Sequence, residues 1–276
     1  MKPDQHTALY GVIGNPVRHS LSPTMHNAAF SATGRNAVYL AFEVEDIKEC
    51  LRGIRALGIK GASITIPFKT SILPYLNDID PLARRINAVN TVVNNDGMLK
   101  GYNTDARGAL KALEEKTRLP GKSCIIIGAG GAARAVGYIL KEEGVAISIV
   151  NRSSKRGEGL ARALGCEFFP LTDVAAATGD ILVQTTPVGM HPHVDPSPVP
   201  EKVLKDGMVV LDIIYNPLET TLLKTAKARG CTTVNGMDMF IHQGVEQFRL
   251  WTGTEPPVQT MKAAVKKALL KGDDTI

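Results

Sequence analysis

Apolar and polar positions along the first hundred residues predict strands and helices in turn. Short β-branched runs predict strands, and amphipathic runs predict helices. The predicted elements are strands at Leu9–Ile13, Val38–Phe42, Ser63–Ile66 and Ala88–Val93 and helices from Pro23 and at Asp46–Leu57. Residues 94–97 tolerate a positive φ, so Val92–Tyr102 is predicted to be a hairpin. This part of the chain therefore belongs to the α/β class.

From Lys122 onward the pattern changes to six short apolar strands with helices between them. They are predicted at Cys124–Ile127, Ile147–Val150, Glu167–Phe169, Ile181–Gln184, Val209–Ile213 and Thr232–Val234. Six strands suit a complete doubly wound, Rossmann-type dinucleotide-binding fold. Two further helices, Asp238–Trp251 and Val258–Leu270, have no obvious place in it. We therefore expect one substrate domain from residues 1–105 and 238–276, with the dinucleotide-binding domain, residues 106–237, inserted between.

Composition excludes several classes of protein. The 276 residues are 44% hydrophobic and 21% charged, which is typical of a folded globular chain. The net charge of +5 comes from scattered basic residues, which disfavours a nucleic-acid partner. The four cysteines lack zinc-finger or disulfide-scaffold spacing, so no metal is expected. Because the start lacks a signal peptide's apolar region and no apolar run is long enough for a bilayer, we expect a cytoplasmic protein without a membrane partner.

A glycine-rich turn is the first chemical signal. It follows the strand Cys124–Ile127, opens a helix, and consists of Gly128, Ala129, Gly130, Gly131, Ala132 and Ala133. The glycines allow a tight turn and let the backbone approach a pyrophosphate at the helix N-terminus. The strand before it and the helix after it supply the context that this motif requires. The sequence therefore predicts dinucleotide binding.

The end of the next strand predicts which dinucleotide binds. NAD-binding folds carry an acidic residue there for the ribose 2′-OH. This chain instead has Asn151, Arg152, Ser153 and, a little further on, Arg156. Guanidinium groups bind a 2′-phosphate through charge-assisted hydrogen bonds, so NADP is expected. The alternative is a solvated loop in which Ser153 or Ser154 caps the next helix.

Polar residues in the first domain leave two interpretations open. Ser20 and Ser22 precede a helix with Pro23 at its first position, so Ser22 is either an N-cap or, with Ser20, a carboxylate ligand. Lys69 lies just past a predicted strand, where ligands bind in open α/β sheets, although most such lysines are merely solvated. Asp105, before an apolar helix, is most simply an N-cap.

Eight motifs in order carry a family resemblance. They are G-x-I-G-N-P-V-x-H-S-L-S-P, T-I-P-F-K, N-A-V-N-T, G-Y-N-T-D, G-A-G-G-A-A-R-A, N-R-S-x-x-R, T-T-P-x-G-M and G-M-x-M-x-x-x-Q. With them the chain resembles the shikimate dehydrogenases from Gly11 to about Gln247. The family's N-R-T is N-R-S here, which keeps the hydroxyl, whereas Asp238 and Phe240–His242 have no role that the family supplies.

The resemblance implies a role for each matching residue. Ser20 and Ser22 would hold the substrate carboxylate, and Lys69 and Asp105 would be the catalytic pair. The residues implied on the substrate ring hydroxyls or on the substrate side are Thr65, Asn90, Gln243 and Tyr215. The implied cofactor residues are those of the glycine-rich turn, Asn151, Arg152, Ser153 and Arg156, together with Thr186, Ile214 and Gly236.

The implied reaction is the reversible reduction of 3-dehydroshikimate to shikimate by NADPH, a step of aromatic amino-acid biosynthesis. Lys69 would supply the proton, so no metal is needed. His191 and His193 could suggest a metal site, but two imidazoles without a third ligand are a weak signal. A quinate or aminoshikimate dehydrogenase would share every motif. A non-catalytic NADP-binding protein would dispense with Lys69 and Asp105. We expect a monomer or a homodimer.

Overall fold

A computed structural model describes residues 3–272 of the chain, and the side chains up to residue 270. Contacts between residues divide the chain into two compact units. Unit 1 comprises Met1–Thr104 with Gln243–Ile276, and unit 2 comprises Asp105–His242. No helix in the described range is long and apolar enough to cross a membrane.

Twelve strands and nine α-helices occur among the described residues. The strands are β1 (Ala8–Gly14), β2 (Ala37–Glu43), β3 (Gly61–Ile64), β4 (Asp78–Ile79), β5 (Thr91–Asn95), β6 (Met98–Tyr102), β7 (Ser123–Ile127), β8 (Ala146–Asn151), β9 (Glu167–Pro170), β10 (Ile181–Gln184), β11 (Val209–Asp212) and β12 (Thr232–Val234). The helices are α1 (Ser22–Ala32), α2 (Ile47–Ala56), α3 (Pro81–Ile86), α4 (Thr104–Glu114), α5 (Gly131–Glu142), α6 (Ser154–Leu164), α7 (Thr221–Ala228), α8 (Gly236–Thr252) and α9 (Val258–Gly272). Three short 3₁₀ segments lie at Leu73–Tyr75, Leu171–Ala176 and Glu201–Val203.

The sheet of unit 1 is mixed. Its strands run in the order β2-β1-β3-β5-β6-β4, with β1 parallel to β2 and β3 and with β5 antiparallel to both β3 and β6. The predicted hairpin is confirmed, because β5 and β6 pair around Asp96 and Gly97, whose φ angles are 49° and 91°. The sequence pattern missed β4 and α3, and it placed β3 about two residues too far along the chain.

Helix α2 shows why the local sequence folds as it does. The Asp46 carboxylate accepts hydrogen bonds from the backbone N–H groups of Lys48 and Glu49 and so caps the helix. Its buried residues are Ile47, Leu51 and Ile54, which lie on one face at helical spacing. That face packs into the core of unit 1, which also includes Ile13, Ile64, Phe68, Ile72, Val92 and Leu99.

Helix α9 packs against α1 within unit 1. The close approach of helices here depends on a small residue. A Cβ on Gly244, in α8, would overlap the end of the Met25 side chain and lie 3.5 Å from Met261 Cε. The C-terminal helix thus belongs to unit 1 and packs on the first helix of the chain.

The sheet of unit 2 is entirely parallel. Its order is β12-β11-β10-β7-β8-β9, which in chain order is the doubly wound arrangement 3-2-1-4-5-6. All six predicted strands are present, and every residue of β10 and β11 is buried. Strands buried on both faces read as continuous apolar runs, which is why the pattern located them well. The α/β fold class with a Rossmann-type sheet is confirmed.

Candidate active site

Ser20 and Ser22 lie together at the start of α1. The Ser20 hydroxyl donates to Ser22 Oγ at 3.2 Å, and the backbone N–H of Ser22 donates to Ser20 Oγ at 3.2 Å. The capping interpretation of Ser22 is wrong, because the helix begins at Ser22 itself. Its N-cap is Leu21, whose side chain makes no capping bond, and the side chain that accepts from the first helical N–H is that of Ser20. The two hydroxyls therefore lie side by side at a helix N-terminus, where Ser20 and not Ser22 bonds a helical N–H.

Backbone hydrogen bonds fix the segment that ends at Lys69. The N–H of Thr65, just after β3, donates to Ile13 O at 2.9 Å, and Phe68 N–H donates to Thr65 O at 2.9 Å. The Phe68 side chain is buried in the core of unit 1. The carbonyl of Lys69 accepts from Val89 N–H at 2.8 Å. A half-buried lysine is thus fixed at the carboxyl end of a buried strand.

A buried group of polar side chains joins β5, α4 and α8. Asn90 Oδ1 accepts from Thr104 N–H at 2.7 Å and from the Thr91 hydroxyl at 2.8 Å, while Asn90 Nδ2 donates to Thr104 Oγ1 at 3.0 Å. Thr104 Oγ1 donates to Gln243 Oε1 at 3.5 Å. Gln247 Nε2 donates to Thr91 Oγ1 at 3.0 Å. Asn90 and Gln243, which sequence reasoning singled out separately, therefore share one hydrogen-bonded network.

The network continues through residues that the sequence analysis missed. Gln247 Oε1 accepts from the Ser63 hydroxyl at 3.0 Å and lies 3.2 Å from His26 Nε2. The Tyr39 hydroxyl donates to Ser63 Oγ at 2.6 Å. Burial lowers the pKa of His26 to about 4, so the ring is neutral at pH 7, and burial raises the pKa of Tyr39. A hydrogen bond from Ser22 opposes the shift of Tyr39, which links the paired serines to the same network.

Only one of these missed positions had a usable signal. Gln247 lies four residues after Gln243 in a helix, which places both side chains on one face. The others lie within apolar runs that periodicity assigns to the core. Their polar partners become visible only in three dimensions.

Asp105 is not an N-cap, which corrects the simplest interpretation of its position. Helix α4 begins one residue earlier, at Thr104, so the carboxylate lies in the first helical turn. The side chain is buried, with a relative exposure of 7%. A buried carboxylate at a helix N-terminus is stabilised by the helix dipole.

The glycine-rich turn forms a close-fitting backbone cradle. Gly128 has a φ of 118°, and a Cβ there would overlap the Thr185 hydroxyl. Gly130 is the N-cap of α5 and, as a glycine, offers no side chain to the N–H groups at that end. Nothing would crowd a group beside Gly130, and the neighbouring Ala129, Gly131 and Ala132 are half-buried. This geometry fits a pyrophosphate bound by backbone N–H groups.

The predicted 2′-phosphate residues follow β8. Arg152 and Arg156 are exposed, and the Asn151 amide donates to Ser153 O at 2.9 Å. Ser153 does occupy the N-cap position of α6, but its side chain makes no capping bond. The alternative that Ser153 caps the helix is therefore correct for the position of the residue, but its side chain does not cap the helix. Two guanidinium groups are available to an anionic ligand at this strand end.

Three further predicted residues lie at the ends of β10, β11 and β12. The Gln184 amide group donates to Thr186 Oγ1 at 2.9 Å, and Gln184 Oε1 accepts from Thr186 N–H at 2.9 Å. Gly236 N–H donates to Ile214 O at 3.2 Å. These residues border the same carboxyl edge of the parallel sheet as the glycine-rich turn, the edge where doubly wound folds bind ligands.

Tyr215 follows Ile214 and stacks on the ring of Phe240, with 4.7 Å between centroids. Sequence reasoning gave Phe240 no role, and the structure supplies one as a support for this tyrosine. Across the described residues, no three His, Cys, Asp or Glu side chains are placed to hold a metal ion.

The fold and these residues define an α/β protein with a dinucleotide-binding unit and a unit rich in buried polar groups. Family models match residues 12–92 as "Shikimate dehydrogenase substrate binding domain", residues 110–219 as "Shikimate / quinate 5-dehydrogenase" and residues 236–266 as "Shikimate 5'-dehydrogenase C-terminal domain". The chain belongs to the shikimate dehydrogenase family, and the resemblance seen in its motifs is confirmed.

Individual relatives agree along nearly the whole chain. The shikimate dehydrogenase (NADP(+)) of Moorella thermoacetica is 46% identical over 279 residues, covering 95% of this chain and 94% of the relative. A shikimate dehydrogenase solved in complex with NADP+ superposes with a TM-score of 0.93 at 43% identity, covering 97% of this chain and 98% of the other. The Thermus thermophilus enzyme in complex with NADP(H) and shikimate gives 0.89 at 36% identity, covering 95% and 100%.

Proposed function

We propose that this protein catalyses the NADPH-dependent, reversible reduction of 3-dehydroshikimate to shikimate in aromatic amino-acid biosynthesis. The observation that carries the proposal is the buried hydrogen-bonded group of Asn90, Thr104 and Gln243 in a chain of the shikimate dehydrogenase family. The expectations of an oxidoreductase and of NADP as its cofactor are confirmed by relatives that are NADP-dependent shikimate dehydrogenases.

The substrate is a small carboxylic acid with several ring hydroxyls, and unit 1 offers a matching set of groups. The paired hydroxyls of Ser20 and Ser22 bind the carboxylate. Thr65, Asn90 and Gln243 bind the ring hydroxyls. Because the last two already share Thr104 as a partner, their polar atoms are oriented before substrate arrives. Such preorganisation reduces the entropy lost on binding.

Proton transfer is the part of the chemistry that falls to side chains. Reduction of the ketone adds a hydride to the carbonyl carbon, which NADPH supplies when bound, and a proton to the oxygen. Lys69 donates that proton as a general acid, and Asp105 is the second member of the catalytic pair. The fixed backbone around Lys69 restricts where its ammonium group can reach.

The cofactor residues are those of the carboxyl edge of unit 2. The glycine-rich turn holds the pyrophosphate through backbone N–H groups, and Thr186, Ile214 and Gly236 border the same edge. Asn151, Arg152, Ser153 and Arg156 hold the 2′-phosphate, and Tyr215 faces the substrate. The cradle at Gly128 supports this assignment, because any side chain there would overlap Thr185.

The test is a direct assay of NADPH oxidation with 3-dehydroshikimate, repeated with NADH and, in the reverse direction, with shikimate and quinate. Turnover of 3-dehydroshikimate with a strong preference for NADPH is the expected result. Faster oxidation of quinate than of shikimate would reassign the substrate. Binding of NADPH without any turnover would leave only a cofactor-binding protein.

Three further features of the enzyme remain part of this proposal. Its substrate domain consists of residues 1–105 and 238–276, and its NADP-binding domain of residues 106–237. It is cytoplasmic, and it acts as a monomer or a homodimer, which light scattering would measure. Its partners are small molecules.

A further inference from the structure

Two neighbouring strands of unit 2 end in polar side chains with no exposed surface. Gln184 ends β10 and Asp212 ends β11, and the two residues are paired in the parallel register. Each is 0% exposed. A buried glutamine with satisfied hydrogen bonds is unremarkable, whereas a buried carboxylate without a cation is costly. Asp212 is the residue that requires an explanation.

The Asp212 carboxylate joins two points of the loop that follows its strand. Oδ1 accepts from the backbone N–H of Ile214 at 3.0 Å, and Oδ2 accepts from the Thr220 hydroxyl at 2.8 Å. Thr220 in turn caps α7, because its oxygen accepts from Leu223 N–H at 3.3 Å. The two bonds therefore fix both ends of residues 213–220.

This loop carries Ile214 and Tyr215, the residues assigned above to cofactor and substrate. Ile214 is also held through its carbonyl by Gly236 N–H, and Tyr215 through its ring by Phe240. A Cβ on Gly236 would overlap the backbone of Ile213 and Ile214, so the contact is close. Both backbone groups of Ile214 are therefore held. Its N–H donates to Asp212, and its carbonyl oxygen accepts from Gly236.

Charge determines how firmly Asp212 can hold the loop. The partners that the described structure gives it are a backbone N–H and a hydroxyl, and the register neighbour Gln184 is a neutral amide. With no cation among these groups, burial raises the pKa of Asp212 to about 6. The carboxylate is ionised at neutral pH and accepts both bonds. When protonated it loses the charge that strengthens them.

We propose that Asp212 is a positioning residue whose carboxylate sets the conformation of residues 213–220 and thereby the placement of Ile214 and Tyr215. The proposal rests on the proposed function for what those two residues contact. It predicts that cofactor binding weakens when the carboxylate loses its charge.

The test compares wild type with Asp212→Asn, which keeps the shape and removes the charge. We expect the variant to bind NADPH about 10-fold more weakly at about pH 8, where wild-type Asp212 is ionised. At about pH 5, where wild-type Asp212 is protonated, the ratio of the two dissociation constants should approach 1. Taking the ratio cancels other groups that titrate in the protein or in NADPH. A ratio that is the same at both pH values overturns the proposal.

NADPH fluorescence measures this binding without turnover, which separates the two ideas. Failure of the wild type to reduce 3-dehydroshikimate would refute the proposed function. The ratio of NADPH dissociation constants would still test the role of Asp212. If turnover is present, kcat/KM should follow the same ratio. Asp180→Asn is the matched control, since Asp180 accepts bonds from Ser123 at the opposite edge of the same sheet. It should leave NADPH binding unchanged at both pH values.

Thr220 keeps the proposal testable if Asp212→Asn does not fold. Thr220→Val removes the donor to Oδ2 at nearly constant shape, and Thr220→Ser retains it. We expect the valine variant to weaken NADPH binding by about 3-fold at about pH 8 and the serine variant to match wild type. A valine variant that binds NADPH as wild type does would overturn the proposal.

Discussion

The two units bury polar side chains in different ways. Of the buried polar or charged residues in the described chain, ten belong to unit 1 and four to unit 2. Those of unit 1 are Ser22, His26, Ser63, Asn90, Thr91, Asn94, Asn103, Thr104, Gln243 and Gln247, and those of unit 2 are Asp105, Gln184, Asp212 and Thr220. Many of the former hydrogen-bond one another in one network, whereas three of the latter fix loops at the carboxyl edge of an apolar sheet.

This difference follows from what each unit has to recognise. A small acid with several hydroxyls is distinguished by side chains held in fixed directions, and buried polar networks supply them. A dinucleotide presents phosphates, which backbone N–H groups at a helix N-terminus bind without side chains. Substitutions in unit 1 should therefore change substrate turnover and substrate KM, and substitutions at the carboxyl edge of unit 2 should change cofactor binding.

The largest expected effect is that of Lys69→Ala. Loss of a general acid typically reduces kcat by about 100- to 10,000-fold. NADPH affinity, measured by fluorescence, should not change, because Lys69 belongs to unit 1. Lys60→Ala is the control, as Lys60 is an exposed lysine just before β3. A Lys69→Ala enzyme with wild-type kcat would remove this residue from the mechanism.

The pairing of Lys69 with Asp105 is tested by combining substitutions. Asp105→Asn should also lower kcat, and the double variant should be scarcely slower than the slower single variant, because groups that act as a unit are not additive. Losses that multiply would show that the two residues act independently. Circular dichroism of each variant checks that the fold is retained.

Arg152→Ala should weaken NADPH binding and leave kcat unchanged, which is the opposite of the effects expected for Lys69→Ala. Removing a charge-assisted hydrogen bond of about 1.5 to 3 kcal/mol should weaken NADPH binding by about 10- to 150-fold. NADH, which lacks the 2′-phosphate, should barely respond, and kcat at saturating NADPH should stay near wild type. Arg162→Ala, an exposed arginine in the last turn of α6, controls for a general loss of positive charge. Equal losses of affinity for NADPH and NADH would show that Arg152 has a structural role in the loop after β8.

Ser22→Ala should act on substrate alone and more weakly. A contact with the carboxylate, far from the reacting carbonyl, is largely uniform binding, so KM for the acid should rise by about 10-fold with kcat little changed. Because Leu21 is the N-cap of α1, stability should not fall by the roughly 1 kcal/mol of a lost cap. Thermal unfolding and steady-state kinetics together measure both. An unchanged KM with lowered stability would argue for a structural role only.

Sequence patterning predicted unit 2 better than unit 1. Apolar strands such as β10 are buried along their whole length, so their runs are unmistakable, and the glycine-rich turn follows from local backbone requirements. In unit 1 the two-residue β4 and the six-residue α3 are too short for periodicity, and β5 pairs antiparallel to β3 inside a mixed sheet.

The site shows the same contrast. Lys69, Asn90 and Gln243 could be singled out from motifs, but Tyr39, Ser63 and the buried state of His26 could not, because their partners are 24 to 221 positions away. The capping interpretations of Ser22 and Asp105 were wrong because α1 begins one residue, and α4 two residues, before the start that each cap requires. At a helix start, a shift of one or two residues decides whether a side chain occupies the N-cap position, and local sequence rules do not resolve such a shift.

The smallest expected effects are on stability, and they should have opposite signs in the two units. Burial lowers the pKa of His26 to about 4 and raises the pKa of Asp212 to about 6. Unfolded His26 therefore binds a proton as pH falls below about 6.5, which favours unfolding, whereas folded Asp212 binds a proton below about pH 6, which favours folding. Acidification from about pH 7.5 to 5 therefore lowers the free energy of unfolding by about 1 to 2 kcal/mol through His26. Through Asp212 it raises the free energy of unfolding by about 1 to 2 kcal/mol.

Removing each group in turn isolates its sign. On acidification, His26→Asn should lose less stability than wild type, and Asp212→Asn should lose more, because it lacks the compensating protonation. Denaturant unfolding over this pH range measures both by circular dichroism. Trp251, the single tryptophan, lies 5.0 Å from the His26 ring, so its fluorescence follows unit 1. If the two variants shifted the pH dependence of stability in the same direction, the opposite pKa shifts assigned to His26 and Asp212 would be wrong.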